Sequence, residues 1–129
     1  MINTIGFRGK GITVNSKVSL LSGGERQGVA IGRAMHFQAE LIILDEPTTA
    51  LSLKEVRKVL NFVHKIKEGG KAGMYISHDI PDVYEISDRF IILDRGKVVA
   101  NIAKEEISLK SLNDFLLEYA QGFKDQAES

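Results

Sequence analysis

The sequence predicts an α/β layer fold, in which helices cover a mostly parallel sheet. Helix-like and strand-like segments alternate along the 129 residues, and two central apolar runs, LIILD and GMYIS, are each followed by polar residues. Continuous rather than alternating apolarity is typical of strands covered on both faces of a parallel sheet. With 43% apolar and 26% charged residues, the composition is that of one globular domain.

The first predicted helix opens within LSGGERQ, residues 21–27, and runs from Ser22 to about Phe37. Ser22 and Glu25 have the spacing of a capping box, with Ser22 as the N-cap and Glu25 reaching back to it. We expect Ala30, Ala34 and Phe37 to line one face of this helix. Residues 1–20 are glycine-rich, and only a short extended piece is predicted there, at residues 12–14.

The remaining elements follow from similar signals. Ser52 and Glu55 repeat the capping-box spacing and open a second helix, which the glycine pair at 69–70 ends. Pro81 fits the first turn of a short helix. RFIILDRGKVVANI predicts two strands joined by a turn at residues 94–96, and apolar residues from Leu109 to Tyr119 predict an amphipathic helix.

Polar side chains collect where the two apolar strands end. Asp45 and Glu46 follow the first strand, and Ser77, His78 and Asp79 follow the second. Ligands of open α/β sheets bind at the carboxyl ends of strands, where acids can hold Mg²⁺ or orient a water and a histidine can contact phosphate. Taken singly, each feature has an ordinary structural reading as a turn, a helix cap or a solvated histidine. Their joint order and spacing favour function.

Composition excludes several classes. Lysine plus arginine equals aspartate plus glutamate at 17 each, so net charge gives no support for nucleic-acid binding. The absence of cysteine excludes disulfides and thiolate metal sites and fits a reducing compartment. The first residues lack the apolar core of a secretory signal, and no apolar run approaches the roughly 18 residues of a membrane span. We therefore expect a cytoplasmic chain that meets membranes through a partner.

Four quoted segments together resemble the ABC ATPases. LSGGERQ is similar to their signature motif, LIILDEPTTALS to their Walker B strand and D-loop, and YISHD to the strand with their switch histidine. DVYEISDRFIILDRGKVV resembles the segment that follows in importer subunits. The resemblance covers roughly residues 15–105 and implies a partial P-loop NTPase-like fold that works with ATP and Mg²⁺. It implies that Asp45 helps to hold Mg²⁺ through water, Glu46 polarises the attacking water and His78 contacts the γ-phosphate.

The resemblance also implies a role for the residues of the signature motif. Ser22, Gly23 and Gly24, with Glu25 and Gln27 in the same motif, would serve the γ-phosphate of a nucleotide that another subunit holds. The physics of a helix start agrees, because free N–H groups and the positive end of the helix dipole attract anions and glycine permits close approach.

Two departures from the family pattern matter. A P-loop requires G-x-x-x-x-G-K-[ST], and GK occurs at 9–10, 70–71 and 96–97, each time without the required flanking residues. The first would need Gly and Ser or Thr where Thr4 and Gly11 stand. The second departure is Ser52, where the D-loop usually carries aspartate. Serine caps a helix equally well but supplies no carboxylate across a dimer interface.

These residues are therefore expected to form one partial ABC ATPase domain. Residues 1–21 would be a remnant of the helical subdomain, 22–105 the core from signature to the strands after the switch histidine, and 106–129 the C-terminal helix and tail. The family places its P-loop strand between the switch-histidine strand and the FIIL strand. We expect the resulting gap to be closed by direct pairing of those strands, by the N-terminal segment or by homo-oligomerisation.

The functional expectation is the C-terminal part of an ABC importer ATP-binding subunit, closest to those for simple sugars. It would act with a second ATP-binding subunit or a P-loop-bearing half and with a permease, at the inner face of the cell membrane. Without a P-loop the chain alone is expected to hydrolyse little or no ATP. Two alternatives stay open: a truncated, non-catalytic interaction module, and a non-transporter ATPase of the same superfamily.

Overall fold

A computed structural model describes residues 15–127, except for the side chains of Met35 and of residues 122–127. The predicted extended piece at residues 12–14 therefore lies outside the described residues. The chain divides into two compact units, one ending at Ser77 and the other beginning at His78. Each unit is described by itself.

From residue 15 onward, the first unit contains two helices and two strands in alternation. A 3-10 turn at Val18–Leu20 precedes helix α1, Gly23–His36. Strand β1, Leu41–Asp45, is followed by helix α2, Leu53–Glu68, and strand β2, Ala72–Ile76. This order confirms the predicted helix–strand–helix–strand alternation.

Helix α1 begins as the sequence predicts, but its apolar face differs. The residues expected to line that face are not its buried ones, because Ala30 is exposed and Phe37 is 72% exposed. Among the α1 side chains that the structure describes, Ile31 is buried, as is Leu21 just before the helix. Ile31 gains more from leaving water than an alanine does, and Phe37 lies beyond the last residue of α1.

Helix α2 carries the core of this unit on one face. Its buried residues recur at helical intervals, and Leu60 has no exposed surface: the set is Val59, Leu60, Phe62, Val63 and Ile66. The helix ends in a Schellman motif, in which the N–H groups of Gly70 and Lys71 donate to the carbonyls of Lys67 and Ile66. Gly70 has φ +70°, which glycine adopts without strain.

Strands β1 and β2 form a two-stranded parallel sheet with Leu41 opposite Ala72 and Asp45 opposite Ile76. One face is buried through Ile42 and Leu44. The other face carries four apolar side chains that are 45–58% exposed: Leu41, Ile43, Met74 and Ile76. The expectation that these strands are covered on both faces is therefore wrong within the described residues, because these four side chains stay about half exposed.

The second unit begins at His78 and contains two helices and an antiparallel hairpin. Helix α3 is Ile80–Ile86, strand β3 is Arg89–Asp94, strand β4 is Lys97–Ala103, and helix α4 is Leu109–Ala127 after a 3-10 turn at Lys104–Glu106. Arg95 and Gly96 link the strands, both with positive φ. That two-residue turn matches the right-handed twist of a hairpin and confirms the predicted turn.

The core of the second unit lies between the hairpin and the two helices. Ile86, Phe90 and Leu112 are each at most 4% exposed. The Tyr84 ring stacks on Phe90 at a centroid distance of 5.6 Å, and its hydroxyl donates to the carbonyl of Ile107 at 3.1 Å. These contacts tie α3 to the hairpin and to the segment that leads into α4.

Direct pairing across the strand gap is not found, so that expectation is wrong. β2 belongs to the parallel pair and β3 to the antiparallel pair, in separate two-stranded sheets. Contribution of the N-terminal segment falls on residues outside those described, and oligomerisation stays a prediction. Across residues 15–127, no helix combines the length and apolarity needed to cross a bilayer.

Candidate functional site

The signature residues stand at the first turn of α1. Of the four N–H groups that a helix start leaves open, the capping box satisfies two. The Ser22 N–H donates to Glu25 Oε2 at 2.7 Å, and the Glu25 N–H donates to Ser22 Oγ at 3.2 Å. In the part of the chain that the structure describes, the N–H groups of Gly23 and Gly24 meet no hydrogen-bond acceptor. Two adjacent donors at the positive end of a 14-residue helix suit a phosphate oxygen.

The start of α2 lies against this turn. A β-carbon on Gly24 would clash with Glu55 Oε1 and stand 2.7 Å from the Glu55 carboxyl carbon. A β-carbon on Gly23 would meet only the Leu51 side chain, at an ordinary 3.7 Å. The structure therefore brings the signature and the segment after Walker B together. The Glu55 carboxylate therefore occupies the space that a side chain at position 24 would need.

Glu55 is held in place by Ser52. Its Oε2 accepts the Ser52 N–H at 2.9 Å and the Ser52 hydroxyl at 2.8 Å. The backbone N–H of Ser52 first, and then its hydroxyl, hold the pKa of Glu55 below its ordinary value, with a smaller contribution from Lys58. The carboxylate beside Gly24 is therefore ionised at neutral pH. Ser52, at the D-loop position, therefore donates hydrogen bonds to Glu55 of the same chain.

The acidic pair lies at the carboxyl end of β1, where parallel β2 also ends. Asp45 is exposed and pairs in register with Ile76. Glu46 is half-buried, and its N–H donates to the carbonyl of Ile76 at 2.8 Å, which continues the ladder by one residue. Glu46 has φ +46°, in the left-handed region that non-glycine residues rarely occupy.

A tight turn follows Glu46. Thr49 Oγ1 donates to Glu46 Oε2 at 3.2 Å, and its N–H donates to the Glu46 carbonyl at 3.3 Å. The Thr48 hydroxyl lies 3.3 Å from the hydroxyl of Tyr75 on β2. Ala50 also takes a left-handed conformation, with φ +59°.

The predicted switch histidine belongs to the second unit. His78 is exposed and comes directly before Asp79, the N-cap of α3, whose Oδ1 accepts the Asp82 N–H at 3.2 Å. Ser77 follows β2 at the end of the first unit, at the strand edge where Asp45 and Glu46 stand.

A magnesium ion fits this arrangement only together with a nucleotide. Among the described residues, no group of three or more histidines, aspartates and glutamates could hold a metal ion. Mg²⁺ in nucleotide sites typically keeps several waters and takes one or two carboxylates plus phosphate oxygens. Asp45, exposed at the strand end, can supply one such carboxylate.

Two residues at the site were missed by sequence reasoning as parts of it. The sequence indicates Glu55 only as part of a helix cap, although its carboxylate also occupies the space beside Gly24. Thr49 carried no signal, because its bond to Glu46 depends on a left-handed turn that neither residue type favours.

Comparisons of the sequence with known proteins show which family this chain resembles. A family model described as "ABC transporter" matches residues 1–49. The xylose/arabinose import ATP-binding protein XylG of Sulfolobus acidocaldarius is 43% identical over 109 residues, which are 84% of this chain and 43% of XylG. The fructose import ATP-binding protein FrcA of Rhizobium meliloti is 38% identical over 103 residues, 80% of this chain and 40% of FrcA. The chain thus spans about two fifths of the length of these relatives.

Solved structures show the same likeness. The ATP-binding cassette MJ0796, in a dimeric post-hydrolysis state bound to ADP and Pi, aligns with a TM-score of 0.63 and 35% identity, over 70% of this chain and 39% of that one. MJ1267, an ATP-binding cassette of an ABC transporter, aligns with a TM-score of 0.62 and 28% identity, over 73% of this chain and 37% of that one. Family model, sequence relatives and solved structures therefore agree that this chain is similar to part of the ATP-binding domains of ABC transporters.

Proposed function

We propose that this chain supplies the signature, Walker B and switch-histidine elements of an ATP-binding subunit that drives sugar import through a membrane permease. The observation that carries the proposal is the start of α1, where Gly23 and Gly24 present adjacent N–H groups inside the signature sequence. The sugar-import names of XylG and FrcA support the substrate class. In this role the chain works in the cytoplasm, at the inner face of the membrane.

The nucleotide itself is held by a P-loop outside these 129 residues. No segment of the sequence fits G-x-x-x-x-G-K-[ST]. The exposed face of the β1–β2 sheet supports this. Its four apolar side chains are 45–58% exposed to solvent: Leu41, Ile43, Met74 and Ile76. A P-loop-bearing polypeptide that packs on this face would remove that apolar area from water and bring its nucleotide beside Asp45 and Glu46.

Each residue then has a defined task. Gly23 and Gly24 donate N–H groups to the γ-phosphate of a nucleotide on a second subunit, and Ser22 adds its hydroxyl. When bound, Mg²⁺ neutralises charge on the phosphates, and Asp45 holds it through water. Glu46 orients and polarises the attacking water, and His78 donates a hydrogen bond to a γ-phosphate oxygen.

The proposal is tested by association that depends on ATP. The 129-residue chain is mixed with a full-length relative such as XylG whose own signature serine is replaced by arginine, so that only this chain can complete the site. Sedimentation with ATP and magnesium is expected to show a heavier species that is lost without nucleotide. Gly23→Asp, which places a carboxylate against the phosphate, is expected to abolish it.

The matched control is Gly28→Asp, on the next turn of the same helix, which should retain association. If ATP produces no association between the native chain and the relative, the proposed function is wrong. The chain is then an interaction module without a part in hydrolysis. Magnesium-dependent ATP turnover by the chain alone, abolished by Glu46→Gln, would contradict the need for an external P-loop.

A further inference from the structure

Thr49 makes a contact that the family assignment does not anticipate. Its hydroxyl donates to Glu46 Oε2 at 3.2 Å, and Glu46 is the carboxylate assigned to the attacking water. We infer that Thr49 is a positioning residue, which fixes the direction of the Glu46 carboxylate. This inference rests on the function proposed above only for its consequence in turnover, because the contact itself belongs to the isolated chain.

The backbone of Glu46 is already fixed before the side chain is considered. Its N–H donates to the Ile76 carbonyl at 2.8 Å, so the residue is tied to the end of β2. Its φ of +46° turns the chain away from the direction of the strand. A non-glycine residue persists in this region only where the surrounding structure holds it there, and such positions cluster at functional sites.

The turn after Glu46 is also anchored at its far side. The Thr48 hydroxyl lies 3.3 Å from the Tyr75 hydroxyl, and the Leu51 N–H donates to the Thr48 carbonyl at 3.2 Å. The turn that leads to Thr49 is therefore tied to β2 at Glu46 and at Thr48. From there the Thr49 hydroxyl approaches the carboxylate of a residue whose main chain cannot move freely.

A glutamate side chain has three rotatable bonds, and a fixed backbone alone does not set where its oxygens lie. One donor on Oε2 restricts the last of these bonds and so sets the plane of the carboxylate. The position of a water held by Glu46 depends on that plane. Loss of the donor is expected to lower the turnover number and leave substrate affinity unchanged, because the Thr49 hydroxyl donates to the carboxylate of the general base.

The first test uses the chain alone and does not depend on ATP hydrolysis. The order parameter of the Glu46 side-chain methylenes is measured by NMR relaxation in the native chain, Thr49→Val and Thr49→Ser. The order parameter is expected to fall in Thr49→Val and to be retained in Thr49→Ser, which keeps the hydroxyl. An unchanged value in Thr49→Val would overturn the inference.

Thr48→Val is the matched control, because it removes the same kind of hydroxyl one residue away. It loses the contact with Tyr75 and should leave the order of Glu46 close to that of the native chain. An equal loss of order in Thr48→Val and Thr49→Val would assign the effect to the whole turn and refute a specific role for Thr49.

The second test measures turnover, with the chain reconstituted with the P-loop-bearing remainder of a relative such as XylG. Thr49→Val is expected to lower kcat by about tenfold at unchanged KM, and Thr49→Ser to restore it. Turnover that is insensitive to Glu46→Gln would reject the function proposed, while the NMR result would still decide the role of Thr49. Native kcat in Thr49→Val, in a reconstituted enzyme that Glu46→Gln inactivates, would overturn the inference.

Discussion

At the start of α1, Gly23 and Gly24 differ in what surrounds the place of a β-carbon. The sequence suggests that both glycines serve the close approach of a phosphate. The structure gives Gly24 a second reason, because the Glu55 carboxylate already fills the room beside it. Gly23 has only the Leu51 side chain nearby, at 3.7 Å.

These two glycines make a matched pair for mutation. Gly23→Ala should raise the free energy of unfolding by up to about 1 kcal/mol, since alanine is the better helix former. Gly24→Ala should be less stable than Gly23→Ala, because Glu55 must give up its place and its bonds to Ser52. Urea unfolding followed by circular dichroism measures both.

A second mutation tests whether the Glu55 carboxylate causes the difference in stability between Gly23→Ala and Gly24→Ala. In a Glu55→Ala background, Gly24→Ala should be as stabilising as Gly23→Ala, since no carboxylate remains to be displaced. Equal stabilities of the two alanine variants in the native background would show that Glu55 does not constrain Gly24.

The pH dependence at this contact has a defined sign. Because the pKa of Glu55 is lowered on folding, its contribution to stability is present above the unfolded pKa and is lost as pH falls through the folded pKa. Ser52→Ala removes the hydroxyl but keeps the backbone N–H, which is the larger cause. The pKa of Glu55 should therefore rise part of the way toward its ordinary value, as measured by NMR titration. A pKa unchanged in Ser52→Ala would show that the Ser52 hydroxyl has no part in lowering it.

Among the elements, helix α2 carries most of the buried apolar surface of the first unit. Leu60 has no exposed surface, whereas Leu53 on the first turn of the same helix is 89% exposed. Leu60→Ala should lower the free energy of unfolding by about 2–5 kcal/mol through lost burial and the cavity left behind. Leu53→Ala should change it by less than about 0.5 kcal/mol. Similar losses in thermal or urea unfolding would contradict the assignment of this core.

Elements set by local spacing could be predicted from the sequence. The capping box of Ser22 and Glu25 and the turn at Arg95 and Gly96 depend on residues at most three positions apart, and both are found. The apolar run LIILD predicted a strand correctly. Its apolarity did not tell which faces are covered, because that depends on what packs there. Ile43 is 58% exposed although its type predicts burial.

The other contacts of the candidate site could not be predicted from the sequence, because they depend on the folded structure. Gly24 and Glu55 are far apart in sequence, and a capping pattern gives no sign of a third contact. The bond from Thr49 to Glu46 exists because Glu46 turns to positive φ, against the preference of its residue type. Positions that break local rules are expected at functional sites, and local rules therefore predict them least well.

At the scale of the whole molecule, the candidate site residues lie in a chain whose sequence contains no P-loop motif. The described chain offers phosphate donors at α1, carboxylates after β1 and an apolar sheet face in contact with water. It spans 43% of XylG and 39% of MJ0796. Under the proposed function, a further polypeptide covers the exposed face and supplies the P-loop.

The central claim is that Gly23 and Gly24 serve a phosphate held by another polypeptide. Titration calorimetry with ATP and magnesium tests it on the chain, on a full-length relative with a disabled signature, and on their mixture. The mixture is predicted to bind ATP more tightly than the relative alone, the chain alone to bind none, and Gly23→Asp to remove the gain. Identical isotherms for the mixture and for the relative alone would contradict the claim.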